Sequence, residues 1–543
     1  MPPRLPPLAL PPHTAALALI AVLFVLPGLA GHDLWKSHDA LGLGVVHAMA
    51  TSGDLLVPRV AGLLWMYDPP LFHWVALGFG LAFDSLIEFH AAARLAAGFF
   101  VLLAFWMIYA AARRWAPEGE GRTAAAAAVL LLLGSVGLMV HAHEALPELA
   151  SLAALCGALA ALPHATRRPV SAGIAHGAAL GIAFLSSTWV APASLALATL
   201  AGAVLSPQWR QRRGAAFLVA ALVAFLLVGL SWPIALALGS PHAFLEWWTL
   251  AIDLDANPLA RLRYLFETVS WFAWPSWPLA LWALWALRRR WSEPRLFVPA
   301  CAAAAMLAGL AVWGEARDVE MIPLLAPLVL LAAQAVLTLR RGAAAALDWF
   351  AVLAFAFFAA LVWLGWIAMM TGLPPKIANN FAKTAPGFMP QFELLPFLAA
   401  LALLLGWLYV VLYAVPSQLR SVARWASGIV LLWGTVAMLL MPWVDYQKSY
   451  RSVALQLRSK VPAGAGCIAA KSMGVPQAAA LDYHGGIRTE PFDPLRPREC
   501  ALILVQGSPR DEFDAPGAGW VKLADVGRPG DKSERYRLYA ADK

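Results

Sequence analysis

A chain of 543 residues that is 61% hydrophobic and only 13% charged, with a mean hydropathy of +0.67, is not a soluble multidomain protein. Soluble chains of this length show amphipathic periodicity, whereas apolar runs of 18 or more residues recur here as far as about Pro442. Such runs match the ~20 residues that cross a ~30 Å hydrocarbon layer. The net charge of +8 does not indicate nucleic acid, because the arginines sit in short clusters between apolar runs.

In chain order, the first apolar run covers about 13–31. It reads as an uncleaved helix rather than a signal peptide, since only Arg4 precedes it and no cleavage motif follows. Next comes a polar segment, Gly31 to Trp74, that carries Asp33, Asp39, Asp54 and Asp68. Within it, ALGLGVVHAMATSG after Asp39 is able to form a helix along the membrane surface. The run Pro69–Phe83 opens with two prolines and is shorter than a spanning helix, so it reads as interfacial or re-entrant. The first extracytoplasmic loop then runs over residues 31–90.

Further apolar helices are expected at about 91–112, 123–141, 148–165, 171–187, 189–206, 214–238, 269–287, 296–313, 320–339, 346–371, 394–414 and 425–443. With the N-terminus inside, thirteen crossings put every arginine cluster in the cytoplasm, as the positive-inside rule requires. The clusters are Arg113, Arg114 and Arg122; Arg167 and Arg168; Arg210, Arg212 and Arg213; Arg288, Arg289, Arg290 and Arg295; Arg340 and Arg341; Arg420 and Arg424. The predicted fold is therefore an all-α polytopic membrane domain, residues 1–443. A small extracytoplasmic α/β domain, 444–543, follows, with short apolar runs (CIAA, ALILV, VKLADV, RYRLYAA) and one helical stretch, VPQAAALDYH. Cys156 and Cys301 fall in membrane spans, while Cys467 and Cys500 share the terminal domain, where an oxidising compartment permits a disulfide.

Chemistry concentrates in the first loop. A carboxylate just outside a membrane suits a general base acting on an acceptor hydroxyl or amine. Asp39 is the first candidate, and the bland alternative makes it the N-cap of the helix that follows. Asp68, in WMYDPP, has its backbone restricted by the next proline; its alternative is an ordinary turn. Asp33 sits at a helix exit, and Asp54 lies in a Ser-Gly-Asp turn. His32, His38 and His47 match no standard metal-ligand spacing, so no metal site is expected. There is no Walker motif, hence no visible means of using ATP.

The run LWKSHDALGLGVVHAMATSGDLLVPRVAGLLWMYDPPLFHWVALGF resembles the first loop of glycosyltransferases of the GT-C fold that use polyprenyl-phosphate sugars. That superfamily includes protein O-mannosyltransferases and bacterial lipid A aminoarabinose transferases. The shared features are Trp35 ahead of an acidic motif, Ser52-Gly53-Asp54, Val57-Pro58-Arg59, Gly62, Pro69-Pro70-Leu71 and Ala93-Arg94-Leu95. The similarity extends over roughly 13–340, and its specificity lies in the first loop. It implies an inverting sugar transfer with a polyprenyl monophosphate sugar as donor, a glycolipid or protein as acceptor, and a first-loop aspartate as base. Two motifs depart from the pattern. Where the family usually has Asp-Glu this chain has His38-Asp39: a gapless match puts Asp39 on the second acid, and a one-residue slip puts it on the first. Tyr67-Asp68-Pro69-Pro70 replaces Glu-Lys-Pro-Pro, so the lysine that could hold the donor phosphate is missing.

A leaving phosphate needs cationic stabilisation. The outer-face candidates are Arg59, Lys36, Arg94, Arg261, Arg263 and Arg317, with Arg59 favoured by its VPR motif. Arg317 comes next, its bland alternative being an ion pair with Asp318, Glu315 or Glu320. His141, His143 and Glu144 face outward before Pro147. The expected catalytic pair is thus Asp39 and Asp68, and the expected substrate-binding set is His38, Arg59, Tyr67, His143, Glu144 and Arg317. The expected setting is the inner membrane, with the active site and terminal domain on the periplasmic side. A flippase for a lipid-linked sugar is the alternative, and would carry charged or broken helices at midplane and inverted repeats. A noncatalytic assembly subunit is the other.

Overall fold

The computed structural model describes residues 14–35, 37–205, 212–314, 317–495, 499–508, 512 and 515–542; Arg4, Lys36, Arg210 and Glu315 lie outside the described residues. The chain is mostly helical. Among the described residues, eight helices are long and apolar enough to cross a membrane: Phe89–Trp115, Pro169–Ser186, Arg212–Gly239, Pro294–Val312, Asp318–Val336, Arg341–Thr371, Leu394–Tyr413 and Arg420–Leu439. Four shorter apolar helices are Thr14–Val25, Leu71–Phe83, Gly121–Leu133 and Val190–Leu205. At 1.5 Å per residue, the 13 residues of Leu71–Phe83 reach about 20 Å, short of a ~30 Å layer.

Several helices expected as continuous are broken where the chemistry demands it. The stretch 269–287 divides into Pro258–Phe272 and Ser276–Ala286, because Pro275 offers no amide and its ring obstructs the preceding turn. The stretch 123–141 divides at Gly134 into Gly121–Leu133 and Val136–His141. Close packing elsewhere rests on missing side chains. On Pro169–Ser186, a Cβ at Gly173 or Gly177 would fall 2.4 Å from the Phe217 carbonyl oxygen or 1.9 Å from that of Ala221. Small residues spaced by four let the two helices approach backbone to backbone, the usual source of helix affinity in lipid.

Near the C-terminus stands a five-stranded mixed sheet, in the order Glu490–Pro491, Ile468–Lys471, Leu502–Gly507, Arg535–Ala541, Trp520–Val526. The first three strands run parallel and the last two pair antiparallel. The helix Val475–Gly485 follows the second of these, as the VPQAAALDYH pattern predicts. Cys467 and Cys500 form a disulfide, and Cys156 and Cys301 are free.

The helix Val475–Gly485 lies on the first-loop helix His38–Ser52, so closely that a Cβ on Gly44 would meet Ala479 Cβ at 2.9 Å. Beside this contact the Asp33 carboxylate takes Arg451 Nη2 at 2.6 Å and the Ser449 hydroxyl, while Trp35 Nε1 and the Asp33 amide both donate to Asp445, at 2.7 and 2.8 Å. Asp33 is therefore a fastener between the loop and the terminal residues.

Two outcomes are expected. Alkylation of the denatured, unreduced protein should label Cys156 and Cys301 alone, and Cys467→Ala should lower stability by about 2–4 kcal/mol. Burial is the largest influence on His484 and holds it down at about 4, with Asp33 and Arg451 nearby. Below its ordinary 6.5 the unfolded chain then binds a proton that the fold refuses, so this contribution is present above about 6.5 and lost toward 4. Melting temperature should fall from pH 7 to 4.5, and less steeply in His484→Gln.

Candidate functional site

The first-loop helix begins at His38, and Ser37 before it has φ +94° and ψ −137°. A non-glycine residue in that region is strained, and such residues persist only where the surroundings over-determine them. Asp39, one residue later, does not cap the helix. Its carboxylate turns inward to Arg94 of Phe89–Trp115, with Nη2 at 2.8 Å and Nε at 3.1 Å, and takes the Ala145 amide at 3.0 Å. Gly42 makes the last contact possible, since a Cβ there would lie 1.9 Å from the Ala145 carbonyl oxygen. Arg94 is fully buried, and its remaining N–H groups reach the carbonyls of Leu29, His32 and Asp33. Burial works to raise the Asp39 carboxyl, but Arg94 prevails and holds it below the usual carboxylate range. Both oxygens are engaged, Oδ1 by two donors and Oδ2 by one, and only 3% of the side chain is exposed, so little of Asp39 faces an incoming acceptor.

Asp68 occupies a second buried cluster. Arg317 Nη2 bonds Asp68 Oδ1 at 2.6 Å, Glu320 Oε1 at 2.9 Å and Glu148 Oε1 at 3.1 Å, and Trp65 Nε1 donates to Asp68 Oδ2 at 3.0 Å. Burial pushes the Asp68 carboxyl up, and the guanidinium more than offsets it. Ser187 and Thr188 hydroxyls donate to Glu320 Oε2 at 3.4 and 3.3 Å. One oxygen from each of the three acids lies within 4.8 Å of the others, a spacing that could hold a cation, though Arg317 already stands among them. Three acids share one guanidinium, and among the described residues Glu148 Oε2 and Arg317 Nε have no hydrogen-bond partner.

Between the clusters lies a third group. His38 Nε2 is 3.2 Å from Asp318 Oδ1, next to Arg317, and His141 Nδ1 is 2.7 Å from Glu144 Oε2. His143 is placed otherwise than expected. Its ring nitrogens contact the Met139 and Phe24 carbonyls and its ring stacks on Trp433 at 4.5 Å, so it serves helix packing. Arg59 sits in a two-residue strand paired with Leu63–Leu64 and makes no ion pair among the described residues. Tyr67 packs on Trp65 and lines a small cleft with Ser187, Thr188 and Trp189. That cleft shares Phe184 and Trp189 with an apolar groove of about 500 Å³ between the helices Pro169–Ser186, Val190–Leu205 and Arg212–Gly229. Asp54 caps a turn, accepting from the Leu56 and Val57 amides. His32, His38 and His47 have separate partners and form no metal set: His32 contacts backbone carbonyls and His47 packs on Tyr483.

Glu148 was not among the expected residues, although an acid directly after Pro147 at the head of an apolar helix is itself a signal. Arg94 was expected only as a phosphate cation, and it holds the loop instead.

No protein-family model matches the sequence. The chain is 26% identical over 222 residues to undecaprenyl phosphate-α-4-amino-4-deoxy-L-arabinose arabinosyl transferase 2 of Sodalis glossinidius, covering 37% of this chain and 36% of that one. To arabinosyl transferase 1 of the same organism it is 28% identical over 338 residues, or 58% of each chain. The chain thus spans between about a third and three fifths of these curated relatives. ArnT from Cupriavidus metallidurans, solved bound to undecaprenyl phosphate, superposes with a TM-score of 0.70 at 20% identity, over 96% of this chain and 97% of that one. The fold is that of ArnT. An apo structure of ArnT gives the same TM-score, so the likeness to the ArnT fold does not depend on the bound lipid.

Removing one partner of a buried, hydrogen-bonded ion pair costs about 3–5 kcal/mol, because the other charge is stranded. Arg94→Met and Asp39→Asn should each destabilise the detergent-solubilised protein by that order, read by thermal or denaturant unfolding. The double variant Asp39→Leu/Arg94→Met should lose less than the sum.

Proposed function

We propose that this protein transfers a sugar, with inversion, from a polyprenyl-monophosphate donor to an envelope glycolipid of the lipid A type or to another acceptor. The setting is the outer face of the inner membrane. Thirteen crossings would leave the first loop and the terminal domain, 444–543, on the periplasmic side, where the Cys467–Cys500 disulfide suits an oxidising compartment. No nucleotide is required, since the bond between sugar and carrier phosphate supplies the driving force.

The observation that carries this reading is the meeting of a charged cluster and an apolar groove. Arg317 is held among Asp68, Glu148 and Glu320, and the groove shares Phe184 and Trp189 with the small cleft at Ser187 and Thr188, whose hydroxyls bond Glu320. A prenyl chain lying in the groove would bring its phosphate to Arg317, and the fork of the guanidinium suits a phosphate leaving group. Arriving phosphate must compete with three carboxylates, so donor binding is coupled to uptake of protons or a cation by the acids. Asp39 and Asp68 enter the reaction through their cations. Asp39 fixes the helix that carries His38, and Asp68 aims Arg317. Tyr67 lines the approach, and Arg59 and Glu144 are assigned to substrate binding by the sequence resemblance.

Mass analysis of envelope glycolipids from cells with and without the protein should show one added sugar that depends on it. Acceptors of unchanged mass, with donor lipid redistributed between leaflets, would instead favour a transporter. Arg317→Ala should abolish the added mass but also strands three carboxylates. Arg59→Ala is the cleaner variant: donor KM should rise several-fold with an unchanged melting temperature.

A further inference from the structure

The first-loop group best placed to take a proton is neither aspartate. Among the described residues His38 is held by one partner only, whereas the Asp39 carboxylate takes three hydrogen bonds and the Asp68 carboxylate faces Arg317 and Trp65. Its Nε2 rests on Asp318 at 3.2 Å, and its Nδ1 is shut off from solvent with no hydrogen-bond partner among the described residues. An orphaned buried ring nitrogen calls for a ligand that completes it. The preceding residue, Ser37, holds a strained backbone conformation that aims the ring. An imidazole with one nitrogen on a carboxylate and the other free is the arrangement of an oriented general base.

We propose that His38, oriented by Asp318, is the general base of the sugar transfer, an assignment that rests on the transferase reading above. In the step, His38 Nδ1 takes the proton from the acceptor O–H or N–H as that atom bonds to the anomeric carbon. The bond between the anomeric carbon and the donor phosphate oxygen breaks, and polyprenyl phosphate leaves with the electron pair. The Nε2–H stays hydrogen-bonded to Asp318, whose negative charge balances the imidazolium until the proton passes to solvent. Asp318 is a positioning residue. His141, paired with Glu144, also lies close enough to Asp318 to bear on its charge. Histidine at this place also accounts for the altered acidic motif: where relatives of this type present an acid, this chain presents an imidazole with an acid brought from Asp318.

The test uses full-length protein in detergent, with the total lipid extract of cells lacking it as the source of donor and acceptor. His38→Gln should lower kcat by about 10²–10⁴-fold with donor KM little changed. His38→Gly should regain rate with added imidazole, saturably, which a merely structural histidine would not show. Asp318→Asn should slow the reaction, Asp318→Glu should restore part of it, and Asp318→Asn combined with His38→Gln should be no slower than His38→Gln alone. Transfer by the wild type that survives intact in folded His38→Gln overturns the base assignment and leaves the transferase reading standing. Absence of any added sugar in wild-type cells relative to deleted ones overturns both.

Discussion

Arg94 lies wholly inside the protein, and the start of the first loop is arranged around its charge. A bare guanidinium in such a place is prohibitive; its cost is met by a bidentate carboxylate from Asp39 and three backbone carbonyls. Those partners come from the exit of the first apolar helix and from the start of the first-loop helix, so satisfying one side chain fixes the path of the loop. Asp39 in turn orders the Ala145 amide, which sets the approach to Glu148 a turn further on. The loop is thus tied down by electrostatics as well as by apolar side chains such as Leu43, Val45, Val46 and Met49 in the core.

From that anchor the second cluster follows. Helix Pro147–Ala161 brings Glu148, the turn Asp318–Leu324 brings Glu320, and the Trp65–Asp68 turn brings its acid, all to one arginine. Burial drives the acids gathered round one arginine to share protons rather than all ionise, and under the proposed function such a cluster can exchange a proton, a cation or a ligand. The neighbouring groove, almost wholly apolar and open between helices, suits a chain rather than a compact solute.

The class of the fold and the importance of the loop were legible in the sequence because both depend on composition along the chain. Hydropathy gave apolar helices close to where they stand, and the turn around Asp54 follows from its Ser-Gly-Asp chemistry. The strands near the C-terminus coincide with the apolar runs CIAA, ALILV, VKLADV and RYRLYAA. What stayed hidden depends on which side chain meets which. Asp39 precedes Arg94 by 55 residues, and Asp68 lies 249 residues from Arg317. Nothing local announces either pair. His143, polar in sequence, satisfies both ring nitrogens on carbonyls inside the helix packing, which no periodicity reveals.

The two departures in the first-loop motifs then read as one change rather than two losses. An aspartate with both oxygens engaged by a buried arginine and an amide is a good fastener and a weak base, because those interactions lower its proton affinity. Under the proposed assignment Asp39 takes the fastening role and His38, at the start of the helix, takes the proton. Asp318 supplies the missing negative charge from across the site. Likewise, without a lysine ahead of Pro69-Pro70, the acid at position 68 has no cation beside it in the chain and takes Arg317 from a distant turn. Charge that a first loop of the usual pattern carries within itself is here divided between the loop and the turn at 317–320. The site is complete only when those two segments meet, and the Asp39–Arg94 pair is what holds the loop still for that meeting.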